Sequence, residues 1–119
     1  MKQILVIDDD VLNLEAIVEL LQFNGYDVVA ADSGEEGVQL ARKIHPDVIM
    51  CDILMTPISG FDVIQILSQD AETASIPVII VSALTEPSNI HRGLELGAVE
   101  YLRKPYEHEE LLATLRQKA

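Results

Sequence analysis

Five short runs of β-branched and apolar residues, separated by stretches whose apolar residues recur at helical spacing, leave this chain few folds to adopt. The runs cover residues 4–7, 27–30, 48–51, 78–81 and 101–103. Between the first two, Leu14, Ile17, Val18 and Leu21 fall at i, i+3, i+4 and i+7, which predicts one apolar face of a helix stopped at Gly25. Ser33 and Glu36 have capping-box spacing at the head of a second helix, with Val38, Ala41 and Ile44 inward and Pro46 at its end. A third helix is predicted to start near Gly60, turning Phe61, Ile64 and Leu67 inward. Ser88 is the expected cap of a fourth, closed by Gly97, and Leu111, Leu112 and Leu115 mark a fifth. Runs that do not alternate, such as Val78-Ile79-Ile80-Val81, suit strands covered on both faces by helices. The pattern predicts an α/β fold of the (βα)5 type, a doubly wound, parallel five-stranded sheet with right-handed crossovers.

Composition narrows the function. In 119 residues, 49% are apolar, enough for a core. Twenty acids oppose eight bases for a net charge of −12. A surface that grips nucleic acid or an anionic membrane needs a basic face, so neither is expected as a direct partner. The lone cysteine, Cys51, cannot close an intramolecular disulfide, and no apolar stretch has the length of a membrane span. With no signal-peptide pattern after Met1, the expected location is cytoplasmic.

In a doubly wound sheet, ligands bind beyond the carboxyl ends of the strands. Strand one ends in Asp8-Asp9-Asp10, strand three in Asp52, strand four in Ser82, and strand five in Lys104 before Pro105. Carboxylates held together repel one another, and a hard divalent cation relieves the repulsion. The Lys104 ammonium can neutralise one phosphate oxygen and Ser82 can bond another, leaving Asp52 as a central carboxylate nucleophile. Cys51 reads as a buried strand residue facing away from the Asp52 side chain. His45, His91 and His108 are scattered, with no ligand spacing.

These residues resemble the response-regulator receiver domain of two-component signalling, over essentially the whole chain. The matching pieces are Val6-Ile7-Asp8-Asp9-Asp10, Asp52-Ile53-Leu54-Met55 with Gly60, Pro77 to Ala83 around Ser82, and Tyr101-Leu102-Arg103-Lys104-Pro105-Tyr106. The resemblance implies a flavodoxin-like strand order 2-1-3-4-5 and one receiver domain over 1–119, with no output domain attached. It implies that the chain is a phosphoacceptor switch and not an enzyme in the ordinary sense, catalysing only its own phosphorylation and dephosphorylation. Asp52 matches the acceptor, which takes the phosphoryl group from a sensor histidine kinase or a histidine phosphotransfer protein. Asp8, Asp9, Asp52 and the backbone carbonyl of Leu54 match the site for Mg²⁺ (or Mn²⁺), with Asp9 the direct acidic ligand and Asp8 acting through water. Ser82 and Tyr101 match the switch pair, Lys104 matches the catalytic lysine, and the Lys104–Pro105 bond is expected to be cis.

The pattern departs from the family at Thr56, which separates Met55 from Pro57, and at Ser59, where an acid or Asn is common. Leu54 and Leu84 lie two residues past Asp52 and Ser82, where relatives influence how water reaches the acyl phosphate. On phosphorylation, Ser82 is expected to be drawn inward and Tyr101 to follow. That would reshape a face of helix four, strand five and helix five bearing His91, Arg92, Glu95, Arg103 and Glu110, read by a downstream protein. Monomer and phosphorylation-dependent homodimer both remain open. So does a receiver-like module that binds partners without being phosphorylated. A haloacid-dehalogenase-type phosphatase, with Asp8 as nucleophile and Asp10 as acid/base, fits less well because it gives Asp52 no role. A flavin carrier is excluded, since three aspartates after strand one would repel its phosphate.

Overall fold

The five apolar runs pair side by side and in parallel. A computed structural model describes residues 2–119. Along the chain it places β1 Gln3–Ile7, α1 Val11–Phe23, β2 Asp27–Ala31, α2 Gly34–Ile44 and β3 Val48–Asp52. The second half holds α3 Gly60–Gln69, β4 Val78–Ser82, α4 Pro87–Glu95, β5 Glu100–Arg103 and α5 His108–Lys118. The sheet order is β2-β1-β3-β4-β5, as expected, with every pairing parallel.

Strand alternation divides the interior into two cores, one on each face of the sheet. Leu5, Ile7, Ile49, Cys51, Val78 and Ile80 share the face covered by α2, α3 and α4, in one core with Val38, Ala41, Phe61, Ile64 and Leu67. Ile4, Val6, Val48, Met50, Ile79 and Val81 face the other way, against Leu14, Ile17 and Leu21 of α1 and Leu111 and Leu115 of α5. Both faces being covered explains why these strands read as continuous apolar runs. Val18, Ile44 and Leu112 are only half-buried, at the margins of their helical faces.

Several element ends differ from the sequence expectation. Ser88 does not cap α4: the helix starts at Pro87 with Glu86 as its cap residue, because proline's fixed φ suits the first helical position and its missing N–H costs nothing there. The capping box at α2 is also offset. Ser33 Oγ accepts from Glu36 N at 3.1 Å, but Glu36 Oε1 accepts from Asp32 N at 3.0 Å instead of from Ser33. At the other end, α2 is left through His45 at φ 47°, one residue before Pro46. A true capping box forms at α3, between Ser59 and Asp62.

Asp70 joins α3 to α2. One of its carboxylate oxygens accepts from Glu72 N at 3.0 Å and the other from Arg42 Nε at 2.7 Å. The Glu72 N–H, and then the Arg42 guanidinium, hold its pKa below the ordinary aspartate value. A depressed folded-state pKa gives stability that is present above the unfolded-state pKa and is lost as pH falls through the folded-state one. Asp70→Asn is therefore expected to melt below the wild type at neutral pH, with the gap closing in acid below the ordinary aspartate range. A gap that stays constant down to the most acidic pH tested would show that the carboxylate charge contributes nothing.

Candidate functional site

Parallel register brings the strand ends together. Ile7 pairs with Cys51, Asp52 with Val81, and Ser82 with Arg103, so Asp8, Asp52, Ser82 and Lys104 emerge along one edge of four adjacent strands. The ladder runs one step further, with Lys104 N donating to Ser82 O at 2.8 Å. Asp8 is 3% exposed, Asp52 8% and Ser82 0%. Polar groups this buried need partners.

Lys104 supplies the central one. Its Nζ lies 3.0 Å from Asp52 Oδ2 and 3.8 Å from Asp8 Oδ2, so one ammonium serves two buried carboxylates. The other Asp52 oxygen accepts from Leu54 N at 3.1 Å. Asp8 Oδ1 accepts from Asp10 N at 2.9 Å. Burial, and after it the Asp52 carboxylate, raise the pKa of Asp8 above the ordinary value, against the pull of the Asp10 N–H and of Lys104. Asp9 is exposed and its Oδ2 accepts from Thr56 N at 3.4 Å, which ties the β1–α1 loop to the β3–α3 loop.

Asp10 stands apart from this set. Its Oδ1 caps α1, accepting from Leu12 N at 3.1 Å and Asn13 N at 3.3 Å. A carboxylate committed to a helix N-terminus is poorly placed for the acid/base role that the phosphatase reading needs.

Ser82 Oγ accepts from Leu84 N at 3.1 Å, and Tyr101 Oη donates to Leu84 O at 2.7 Å. The two residues of the expected switch pair thus hold opposite sides of one residue in the β4–α4 loop, and Tyr101 is turned inward at 8% exposure. Leu84 as their common partner was not visible in the sequence, because a backbone amide and carbonyl leave no trace in residue type. The Lys104–Pro105 peptide is cis as expected, and Thr56–Pro57, in the loop where the family pattern is interrupted, is cis as well. Gly60 N donates to Ile53 O at 3.0 Å, seating the start of α3 on the end of β3. Cys51 sits in the opposite core from Met50, with its thiol pKa pushed up by burial first and by Asp52 and Asp8 after it.

Three oxygen-donor acids against one ammonium leave an excess of negative charge. That donor chemistry fits a hard divalent cation. Among the described residues, no three His, Cys, Asp or Glu side chains converge tightly enough to form a metal cage by themselves. Of the expected surface residues, His91 and Glu95 pair at 2.6 Å on exposed α4, and the Arg92 guanidinium lies 4.3 Å above the Phe61 ring.

A family model described as the response regulator receiver domain matches residues 4–116. The chain belongs to the response-regulator receiver family. PilH of Pseudomonas aeruginosa is 39% identical to this receiver over 115 residues, 97% of this chain and 95% of PilH. The DNA-binding dual master transcriptional regulator RpaA of Synechocystis is 40% identical over 116 residues, 98% of this chain but only 48% of RpaA. The receiver therefore spans nearly all of PilH and about half of the longer relative. The chemotaxis protein CheY4 of Vibrio cholerae superposes with a TM-score of 0.94 at 29% identity, covering 100% of this chain and 99% of that one. The receiver domain of the sensor histidine kinase PA1611 of P. aeruginosa, 24% identical with a TM-score of 0.91 over 98% of this chain and 96% of that one, has magnesium coordinated in its active-site cleft. A receiver of this family is a signalling switch and not a classical enzyme. No helix among the described residues is long and apolar enough to cross a membrane.

Proposed function

We propose that residues 1–119 act as one receiver domain whose Asp52 accepts a phosphoryl group from a phosphohistidine partner. The observation that carries this reading is Lys104 Nζ, 3.0 Å from Asp52 Oδ2 and 3.8 Å from Asp8 Oδ2. An ammonium shared by two buried carboxylates is a charge positioned to meet a transferring phosphoryl group at its acceptor. An Asp52 oxygen attacks phosphorus, the phosphorus–nitrogen bond to the donor histidine breaks, and the electron pair leaves with the imidazole. Lys104 then turns from the carboxylate to a phosphoryl oxygen. Asp8, Asp9, Asp52 and the Leu54 carbonyl would hold Mg²⁺, which supplies Lewis-acid neutralisation of phosphoryl charge when bound.

Ser82 would exchange its bond from Leu84 N for one to the phosphoryl group. That frees one side of Leu84, and Tyr101, bonded to the other side, transmits the change to the face formed by α4, β5 and α5. The bias needs only a few kcal/mol.

Intact-protein mass after incubation with a small acyl-phosphate donor tests the reading. One phosphoryl adduct is expected, requiring both Mg²⁺ and Asp52, and absent in Asp52→Ala. No adduct from that donor or from a phosphohistidine donor would transfer the lead to an interaction module that works unphosphorylated. The adduct is also expected to hydrolyse slowly, over minutes or longer. Leu54 is 55% exposed and Leu84 half-buried at the positions flanking the site, and neither side chain can orient a water for attack. Loss of the adduct within seconds, followed by mass, would refute that account of the two leucines.

A further inference from the structure

Helix α4 buries only one residue fully against the sheet, Gly93. Its α-carbon rests over Ile80 of β4 and Tyr101 of β5, which are cross-strand partners in the parallel ladder. A β-carbon at this position would overlap Ile80 Cδ1, well inside the roughly 3.5–4.0 Å at which carbon atoms rest. It would also come within 3.4 Å of Tyr101 Cδ2 and 3.6 Å of Cε2. Ile80 is 0% exposed, and a close-packed core offers its terminal methyl little room to retreat. The helix's other anchors lie at its margins: Ile90 packs partly buried against the core and the Arg92 guanidinium lies over the Phe61 ring, while the cap residue Glu86 makes no side-chain capping bond.

The contacts form a continuous series. Leu84 bonds Ser82 Oγ through its N–H and Tyr101 Oη through its carbonyl, and the Tyr101 ring lies beneath Gly93. We propose that Gly93 is the positioning residue that couples helix α4 to the Ser82–Tyr101 pair, its missing side chain letting the helix rest on the tyrosine ring. With any larger residue at 93, the helix is held off by Ile80 and no longer follows the ring. The trigger in this scheme rests on the phosphorylation reading above; the contact geometry does not.

The test compares backbone amide shifts of the whole chain before and after treatment with acyl phosphate and Mg²⁺. It uses the wild type, Gly93→Ala, Ile80→Val and the double variant. Alanine is a better helix former than glycine, so Gly93→Ala should fold. In the wild type, the amides of Ser82 and Leu84 and those of His91, Arg92 and Leu94 are expected to move. In Gly93→Ala the first two still move, while the α4 response falls by about twofold or more. The double variant, which transfers one carbon from position 80 to position 93, restores that response. A general loss of stability would not be repaired in this way. An α4 response that survives Gly93→Ala, or one that Ile80→Val fails to restore, overturns the proposal. If the wild type takes no phosphoryl group, the functional reading fails separately. The coupling is then judged in the untreated protein, where Tyr101 ring and Leu84 amide signals must shift in Gly93→Ala and return in the double variant; unchanged signals overturn it. Should Gly93→Ala not fold, the double variant must fold with wild-type Tyr101 signals, or the proposal is wrong.

Discussion

Gly60→Ala is expected to destabilise the protein by ~2 kcal/mol, the scale of overpacking a filled interior, and to slow phosphoryl uptake by about tenfold or more. A β-carbon at position 60 would overlap Asp52 O and lie 2.8 Å from Ile53 Cα and 2.9 Å from Asp52 C. These are backbone atoms, so no side-chain rotation relieves the clash. Helix propensity works in the opposite direction, favouring alanine by up to about 1 kcal/mol. The steric term is larger, because α3 cannot back away freely. Its start is held by the bond from Gly60 N to Ile53 O and by the Ser59–Asp62 capping box. If β3 yields instead, the Asp52 carboxylate moves relative to Lys104, and a displacement of about an ångström is costly for the nucleophile proposed here. Urea unfolding and the rate of adduct formation by mass check the two effects. A variant as stable as the wild type, with an unchanged uptake rate, would show that the contact between α3 and the end of β3 is looser than described.

The same glycine shows what was legible in the sequence. Gly60 was recognised as the place where a helix begins, from local pattern. Its closeness to Asp52 O was not, since that depends on how α3 crosses the end of β3. The strands were legible because burial on both faces leaves them continuously apolar, and the sheet order followed from the family resemblance. Two of their ends were legible as well: β3 and β4 close on Asp52 and Ser82, the polar residues expected at those strand ends. At the site, residue types identified the acids, Ser82 and Lys104. The backbone partners, Leu54 N for Asp52, Thr56 N for Asp9 and both ends of Leu84, depend on loop shape. Asp10 illustrates the converse. In sequence it is one of three equivalent acids; in the fold, the start of α1 claims its carboxylate.

Lys104→Met is expected to separate stability from chemistry. Without the ammonium, Asp8 and Asp52 face each other with no counter-charge nearby. Removing one partner from a fully buried pair costs about 3–5 kcal/mol. Here the lysine side chain is 22% exposed and the Asp52 side chain 11%, so water shares the load and roughly 1–2 kcal/mol is the expected loss in EDTA. Two further results should follow from the same electrostatics. Saturating Mg²⁺ should recover much of the loss, because a divalent cation answers the same repulsion, and adding Asp52→Asn should recover it without metal. Phosphoryl uptake behaves differently. Restored stability does not replace the positive charge that the proposed transfer places at the phosphoryl oxygens, so uptake should remain about 10²-fold slow even in saturating Mg²⁺. Denaturation in EDTA and in Mg²⁺, beside adduct formation by mass, measures both arms. Uptake within about threefold of the wild type would remove Lys104 from the transfer step. It would leave the lysine as a counter-ion for the acids alone.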